Sequence, residues 1–493
     1  EAGELIYKER DALVMLMPWS RLTRENTVLE AADAVVFLEN GSIRRAEAKR
    51  ARGTDQYPGR RLEYSAEQLE MKFSAEGEVE QIVAEGQARL VGISEMARTT
   101  VRAGRVDLGF DLEGTGSVLK SALAWGGASM ESAPLARAGK PPAETRLLRS
   151  EVIQLAMRPG GKEMEKAETG APGEIEFVPS RADQRRRWVS AERMWITYGE
   201  ENRIQSFRAV NVQTRTEAPS MAAGKPAPPV VTASRDMLAE FDAQTGEVTR
   251  LEQWNEFHYR EGERQAQAGR AVLEEARRRI LLEEGARVWD ASGSTSAYRI
   301  VLDQRSGDMT AEADVAASRL PERKGRSSAF LSSEETLEAR AARMSTTERN
   351  QRVRYQGRAV VWQGANRIQA EQIEIDRKGR RLVATGAVRT QFLDAPKEGP
   401  RAAKRRGPPP VVVAEAAELV YTEQDRLAQY SGGARLVRLA LEVKAQEIRA
   451  HLKEDGSDSP LERAYADGQA EILEREGDRL RRGTAEHAEY YAA

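Results

Sequence analysis

VRYQGRAVVWQGANRIQAEQIEIDRKGRRLVATGAVRT, residues 353–390, alternates apolar and polar side chains in successive runs and turns between them. Ile373 and Ile375 are flanked by Gln372, Glu374 and Asp376, so a strand here has one dry face and one wet face. Lys378-Gly379 carries hairpin chemistry, because glycine takes a positive φ at no steric cost. Gly357 opens the first strand, Ala370 precedes the second, and Ala384 and Gly386 close the third.

Working outward, the same unit is written repeatedly: a small residue, an alternating strand, a turn, and a second strand ending near glycine. Clear copies are AEQLEMKFSAEGEVEQIVAEGQARL from Ala66, AERMWITYGEENRIQSFRAVNV from Ala191 and ASRDMLAEFDAQTGEVTRL from Ala233. Weaker copies begin near Ala32, Ala103, Ala297, Ala414 and Ala445. GARVW at Gly285, GRAVVW at Gly357 and GARLV at Gly433 stand 72 residues (285 to 357) and 76 residues (357 to 433) apart, which makes the longer module a pair of hairpins. Pro-rich connections recur before VV at Pro228-Pro229 and Pro409-Pro410. These, with 134–149, 158–174 and 321–349, are expected to be long hairpin loops or segment borders. EEARRRILLEE, within 262–284, has helical propensity, but it runs into GARVW, so strand is expected there.

Composition narrows the function. The 493 residues exceed one ordinary core and call for several units or an array. Lys and Arg (76) nearly cancel Asp and Glu (78), which argues against a nucleic-acid partner. Aromatic residues at 6% leave mainly aliphatic surfaces to bury, better suited to thin sheets or acyl chains than to base stacking. With no cysteine, disulfides and thiolate metal sites are excluded. No apolar run reaches the roughly 18 residues of a membrane-spanning helix, and no basic-then-apolar leader follows Glu1; any signal peptide or anchor is expected outside this stretch.

The hairpins of form A..Φ.Φ followed by Φ..Φ.A.G.Φ resemble the OstA-like family of lipopolysaccharide-transport proteins, the type of LptA and LptC. Val353–Thr390 and RILLEEGARVWDASGSTSAYRIVLDQRSGDMTAEADVAA, from Arg279 to Ala317, carry the likeness best. The first part, from WSRLTRENTVLEAADAVVFLENGSIRRAEAKRARG at Trp19 to Gly127, is similar to the LptC arm. The resemblance implies an all-β fold: an elongated repeat of antiparallel hairpins, a β-jellyroll or β-taco, around an open groove. It divides the chain into an LptC-like domain over 1–135, an OstA-like array over 150–320 and an OstA/LptA-like array over 350–493. It also implies a periplasmic bridge that holds lipopolysaccharide or a related glycolipid by its acyl chains and docks head to tail with other bridge proteins through edge strands, with no cofactor and no catalysis.

Sheltering a chain of roughly a dozen carbons takes about 10 kcal/mol of apolar contact, at about 0.8 kcal/mol per CH₂. The alternating positions expected to line such a groove are Leu69, Met71 and Phe73; Met194, Ile196 and Tyr198; Ile300 and Leu302. Val360 and Trp362, Ile373 and Ile375, and Leu419 and Tyr421 complete the set. Plain core packing predicts the same period for all of them. The basic runs Arg185-Arg186-Arg187 and Lys404-Arg405-Arg406 are candidates for lipid phosphate, or else solvated loops. Enzyme signatures are weak. His258, His451 and His487 lie far apart with no HExxH context, RPGGKE at Arg158 lacks P-loop spacing, and no G-x-S-x-G elbow occurs. Two rivals stand beside the bridge: a cell-envelope β-solenoid scaffold with a filled interior, and a carbohydrate-active β-helix enzyme with clustered acidic residues.

Overall fold

The structure, a computed structural model, describes residues 1–24, 26–57, 59–95, 97–113, 116–135, 144–219, 227–274, 277–321, 335–393, 411–452, 461–477 and 479–491. Alternating sequence has become strand throughout: among the described residues there are thirty β-strands, two single turns of 3-10 helix and no α-helix. The Ala-, Glu- and Arg-rich passage is two strands, Arg264–Glu274 and Arg279–Asp290, as the repeat required against its helical propensity. Packing decides it, since Ala271, Leu282 and Ala286 are all buried.

Two compact units follow one another, Glu1–Gly262 and Glu263–Ala493. In the second, each strand pairs antiparallel with the next, as a meander from Arg264–Glu274 to Arg479–Tyr491. In the first, long strands are met by pairs of short ones. Leu13–Arg24 pairs with Thr27–Ala31 and Asp33–Glu39, and Thr145–Met157 with Met164–Thr169 and Gly173–Val178.

Mid-strand, the sheet bends, and the sequence repeat is the record of that bend. Every strand of the Glu263–Ala493 unit that follows the G.A cue carries two adjacent residues with positive φ: Glu284-Gly285, Gly357-Arg358, Gly432-Gly433. Ala313-Asp314, Gly386-Ala387 and Gly468-Gln469 do the same in the intervening hairpins. Each pair is a β-bulge, with one register shift against the neighbouring strand. On the bulged strand the buried positions step by four across the bend, as from Tyr355 to Ala359 or Tyr430 to Ala434; on its neighbour they step by three, as from Ala370 to Ile373 or Ala416 to Leu419. The extra residue on alternate strands lets the sheet turn back on itself.

Small side chains mark the line where the halves come closest. Immediately past the bulge the register sets Ala against Ala: Ala88 with Ala103, Ala286 with Ala297, Ala359 with Ala370, and Ala434 with Ala445. Farther out, larger side chains fill the space, among them Ile300, Ile373, Leu382 and Leu419. That the halves face each other is fixed by Thr390, whose hydroxyl lies 2.9 Å from Tyr430 Oη. In the flat sheet Thr390 would stand with Ala414, six residues along the strand from Ala384 and the row of Tyr430, a separation of roughly 20 Å.

Some loops are shorter than expected. The stretch 158–174 is about half strand, because Met164–Thr169 and the start of Gly173–Val178 continue the sheet. Strands also begin at Thr145 and Leu337, inside 134–149 and 321–349. Pro228-Pro229 directly precedes the strand Val230–Phe241, where a missing N–H costs no ladder bond. Pro409-Pro410 lies outside the described residues.

Candidate ligand-binding interior

Twelve of the fourteen expected lining residues lie on the face that the folded sheet buries. Leu69, Met71, Met194, Ile196, Tyr198, Ile300, Ile373, Leu419 and Tyr421 are buried outright. Phe73, Leu302 and Ile375 are half-buried on the same face near the strand ends. Their wet neighbours behave as the alternation requires. Lys72 reaches Gln81 at 3.1 Å and Glu70 at 3.9 Å, and Glu374 pairs with Arg354 at 2.8 Å.

Val360 and Trp362 are the correction. The left-handed pair Gly357-Arg358 carries Tyr355 into a four-residue step, so Ala359 and Val361, both 0% exposed, are the inward residues of that strand. Val360 and Trp362 stand on the opposite face, opposite Gln369 and Arg367 in register, with the Arg340 guanidinium 6.0 Å from the Trp362 ring. Trp125, Trp188, Trp195 and Trp289 are likewise covered by arginine, at 5.0 to 5.8 Å.

Among the described residues the inward side chains pack closely, many of them with no exposure at all. The aliphatic ones form one continuous cluster in Glu1–Gly262, from Leu16 to Ala239. A cleft of about 130 Å³ is lined instead by Ser345, Thr347, Arg352, Arg354 and Glu374, which are polar.

Apart from Tyr198 and Tyr421, sequence reasoning missed the polar groups inside. Tyr430 is fully enclosed, and burial drives its pKa upward even with Thr390 as partner. Burial also pushes Tyr198 and Tyr355 up to about 12. Asp55 sits with Thr27, Tyr64 and Arg60; burial raises its carboxyl, and those three partners only partly offset the shift. Arg146 points inward in line with Leu148 and Ser150 and makes no hydrogen bond or ion pair among the described residues. The alternation locates all these positions, but only the bend reveals what each one faces.

The other sequence candidates fall apart. Arg186 pairs with Glu176 and lies 5.0 Å from the Trp188 ring, while Arg187 pairs with Glu144 at 2.6 Å. Lys404-Arg405-Arg406 lies outside the described residues. RPGGKE forms the turn before Met164, with Arg158 donating to the Tyr198 carbonyl. His258 contacts its own strand at Glu256. His451 and His487 flank Tyr465 at 5.8 and 6.1 Å, and His487 bridges Asp467 and Glu489. No helix among the described residues is long and apolar enough to cross a membrane.

Comparison with known proteins places residues 338–456 in a family described as LptA/(LptD N-terminal domain) LPS transport protein. Among solved structures the chain is similar to LptH from Pseudomonas aeruginosa, described as the LptA-homologous periplasmic component of the conserved lipopolysaccharide transport device. The identity is 18%, over 25% of this chain and 82% of that one, with a TM-score of 0.22. No curated protein matches the chain.

Proposed function

We propose that this chain carries lipopolysaccharide or a related glycolipid across the periplasm, holding acyl chains between the two halves of its folded sheet, a reading supported by the match of residues 338–456 to the LptA/LptD N-terminal domain family of lipopolysaccharide-transport proteins. The carrying observation is the dry face itself. Within the family match it runs through Val353, Tyr355, Ile368, Ile373, Leu382 and Leu419, all buried against the facing half-sheet. An interior of this kind supplies aliphatic contact along every strand, which is what an acyl chain requires on leaving a membrane. The reading assigns 1–135 to an LptC-like arm and 150–320 and 350–493 to OstA-like arrays. It makes the chain a binding protein with no chemical step, which docks with further bridge proteins through strand edges.

The dense packing of that interior favours a second reading, a cell-envelope scaffold whose filled sheet binds only proteins. Photo-crosslinking to lipopolysaccharide separates the two. With a photoreactive residue placed in turn at Met71, Ile196 and Ile375, and at the wet positions Lys72 and Glu374, the carrier reading expects adducts at the first three alone. A folded protein that yields adducts at none of the five is a scaffold.

A further inference from the structure

Arg146 is a largely enclosed cation that makes no hydrogen bond or ion pair among the described residues, and the carboxylate whose charge acts on it, Glu144, is already paired with Arg187. It lies opposite Phe177 in register, and Phe177 lies opposite Arg187, so the inner face carries a row of arginine, phenylalanine and arginine across three adjacent strands. The Arg187 guanidinium covers the Phe177 ring at 4.9 Å and is neutralised by Glu144 at 2.6 Å. Arg146 has no such partner: its Nε is buried and unbonded, and no other hydrogen bond or ion pair reaches the side chain among the described residues. Across the fold it meets Tyr198, itself enclosed, and Gly246, where a Cβ would stand 3.9 Å from Arg146 Nη2.

A guanidinium stays charged at any accessible pH, so an unpaired one inside a fold costs stability that an anion would restore. We propose that Arg146, with Arg187 beside it, is a phosphate-binding site between the half-sheets of the Glu1–Gly262 unit. Phosphate fits better than carboxylate, because a dianion with three free oxygens can engage two guanidinium forks at once. Glu144 leaves one net positive charge for it to meet. Burial is the largest influence on the Arg146 pKa and lowers it, with Tyr198 and Glu144 opposing the shift and Arg187 adding to it. Identifying the phosphate as that of a lipid headgroup rests on the carrier reading above; the site itself does not.

The test is thermal unfolding of the full chain in phosphate-free buffer, with added inorganic phosphate, water-soluble dihexanoyl phosphatidic acid, or sodium chloride at matched ionic strength. The expected result is a saturating rise in Tm of about 2 °C or more with a phosphate probe, absent with chloride. Arg146→Met should abolish the rise, and Arg146→Lys, which keeps the charge but not the fork, should reduce it. A greater response to phosphatidic acid than to inorganic phosphate identifies a lipid headgroup; equal responses identify free phosphate. The site is refuted if wild type responds to neither probe, or if Arg146→Met responds as wild type does. A retained phosphate response without lipopolysaccharide adducts at Met71, Ile196 or Ile375 would sink the carrier reading and leave the anion site standing.

Discussion

Tyr430 and Thr390 show what a single polar contact does inside an aliphatic interior. Their hydroxyls meet at 2.9 Å, and Thr390 Oγ1 has only a long second contact, 3.4 Å to the Ala414 carbonyl. Tyr430→Phe leaves the threonine with that weak bond, so it should cost about 1 kcal/mol, or about 2–4 °C in the Tm of a unit this size. Adding Thr390→Val removes the stranded partner and should recover part of the loss, which a double-mutant cycle by thermal unfolding measures. Asp55 makes a pH-dependent prediction. Burial raises its pKa above the ordinary 3.8, and Oδ1 finds no hydrogen bond among the described residues. A raised carboxylate pKa means that the folded state holds its proton more tightly than the unfolded chain does. The stability this contributes is therefore complete below 3.8 and disappears as pH climbs through the folded value. Asp55→Asn removes the titration, so its Tm relative to wild type should be higher at pH 7 than at pH 3.5; a constant difference across that range would contradict the burial argument.

The bend can be dissected at the scale of the strand pair. Gly433 has φ +87° and nothing within 4 Å of the position a Cβ would occupy, so Gly433→Ala bears only the left-handed backbone penalty, about 1–2 kcal/mol. Gly357, at φ +80°, would in addition set its Cβ 2.8 Å from that of Ala342, so Gly357→Ala should cost clearly more, and Ala342→Gly should relieve the excess. Urea unfolding of the three variants and the double variant tests whether bulge backbone or cross-strand crowding sets the bend. Ala359→Leu, at the closest approach of the halves, should cost about 1–3 kcal/mol by overpacking. These residues also explain what the sequence made legible. The strands, hairpin turns and dry faces followed from local alternation, and even the helix-prone 262–284 was recovered from its GARVW ending. The pattern A..Φ.Φ was visible too, but its three-residue step is the signature of a bend, which depends on a neighbouring strand stepping by four. Val360 and Trp362 were misplaced for that reason: alternation gives a strand two faces, and only the bulge at Gly357-Arg358 determines which of them turns inward.

For the molecule as a carrier, the dense packing of each unit sets the mechanism. An acyl chain of roughly a dozen carbons gains about 10 kcal/mol from apolar shelter, but it can occupy the interior only if the half-sheets part and their aliphatic contacts are exchanged for contacts with the lipid. The polar contacts between halves oppose parting only weakly, at about 1 kcal/mol for a hydrogen bond such as Tyr430 to Thr390. On the carrier reading, loading requires the half-sheets to separate, and that separation can be blocked. The chain has no cysteine, so Thr390→Cys with Tyr430→Cys creates the sole thiol pair, one on each half-sheet, for a short bis-maleimide to join. Before linking, this variant lacks the hydroxyl contact and should yield lipopolysaccharide adducts at a photoreactive Ile375 at least as readily as its parent. After linking, the adducts should disappear. A control link between Glu418→Cys and Ser431→Cys, register neighbours on adjacent strands, leaves the halves free to part and should leave loading intact. If the link across the halves leaves the adducts at Ile375 unchanged, lipid reaches that residue from the mouth near the strand end without the sheet opening. The carried chain would then lie along the lips of the fold, with the buried row from Ile368 to Leu419 acting as permanent core.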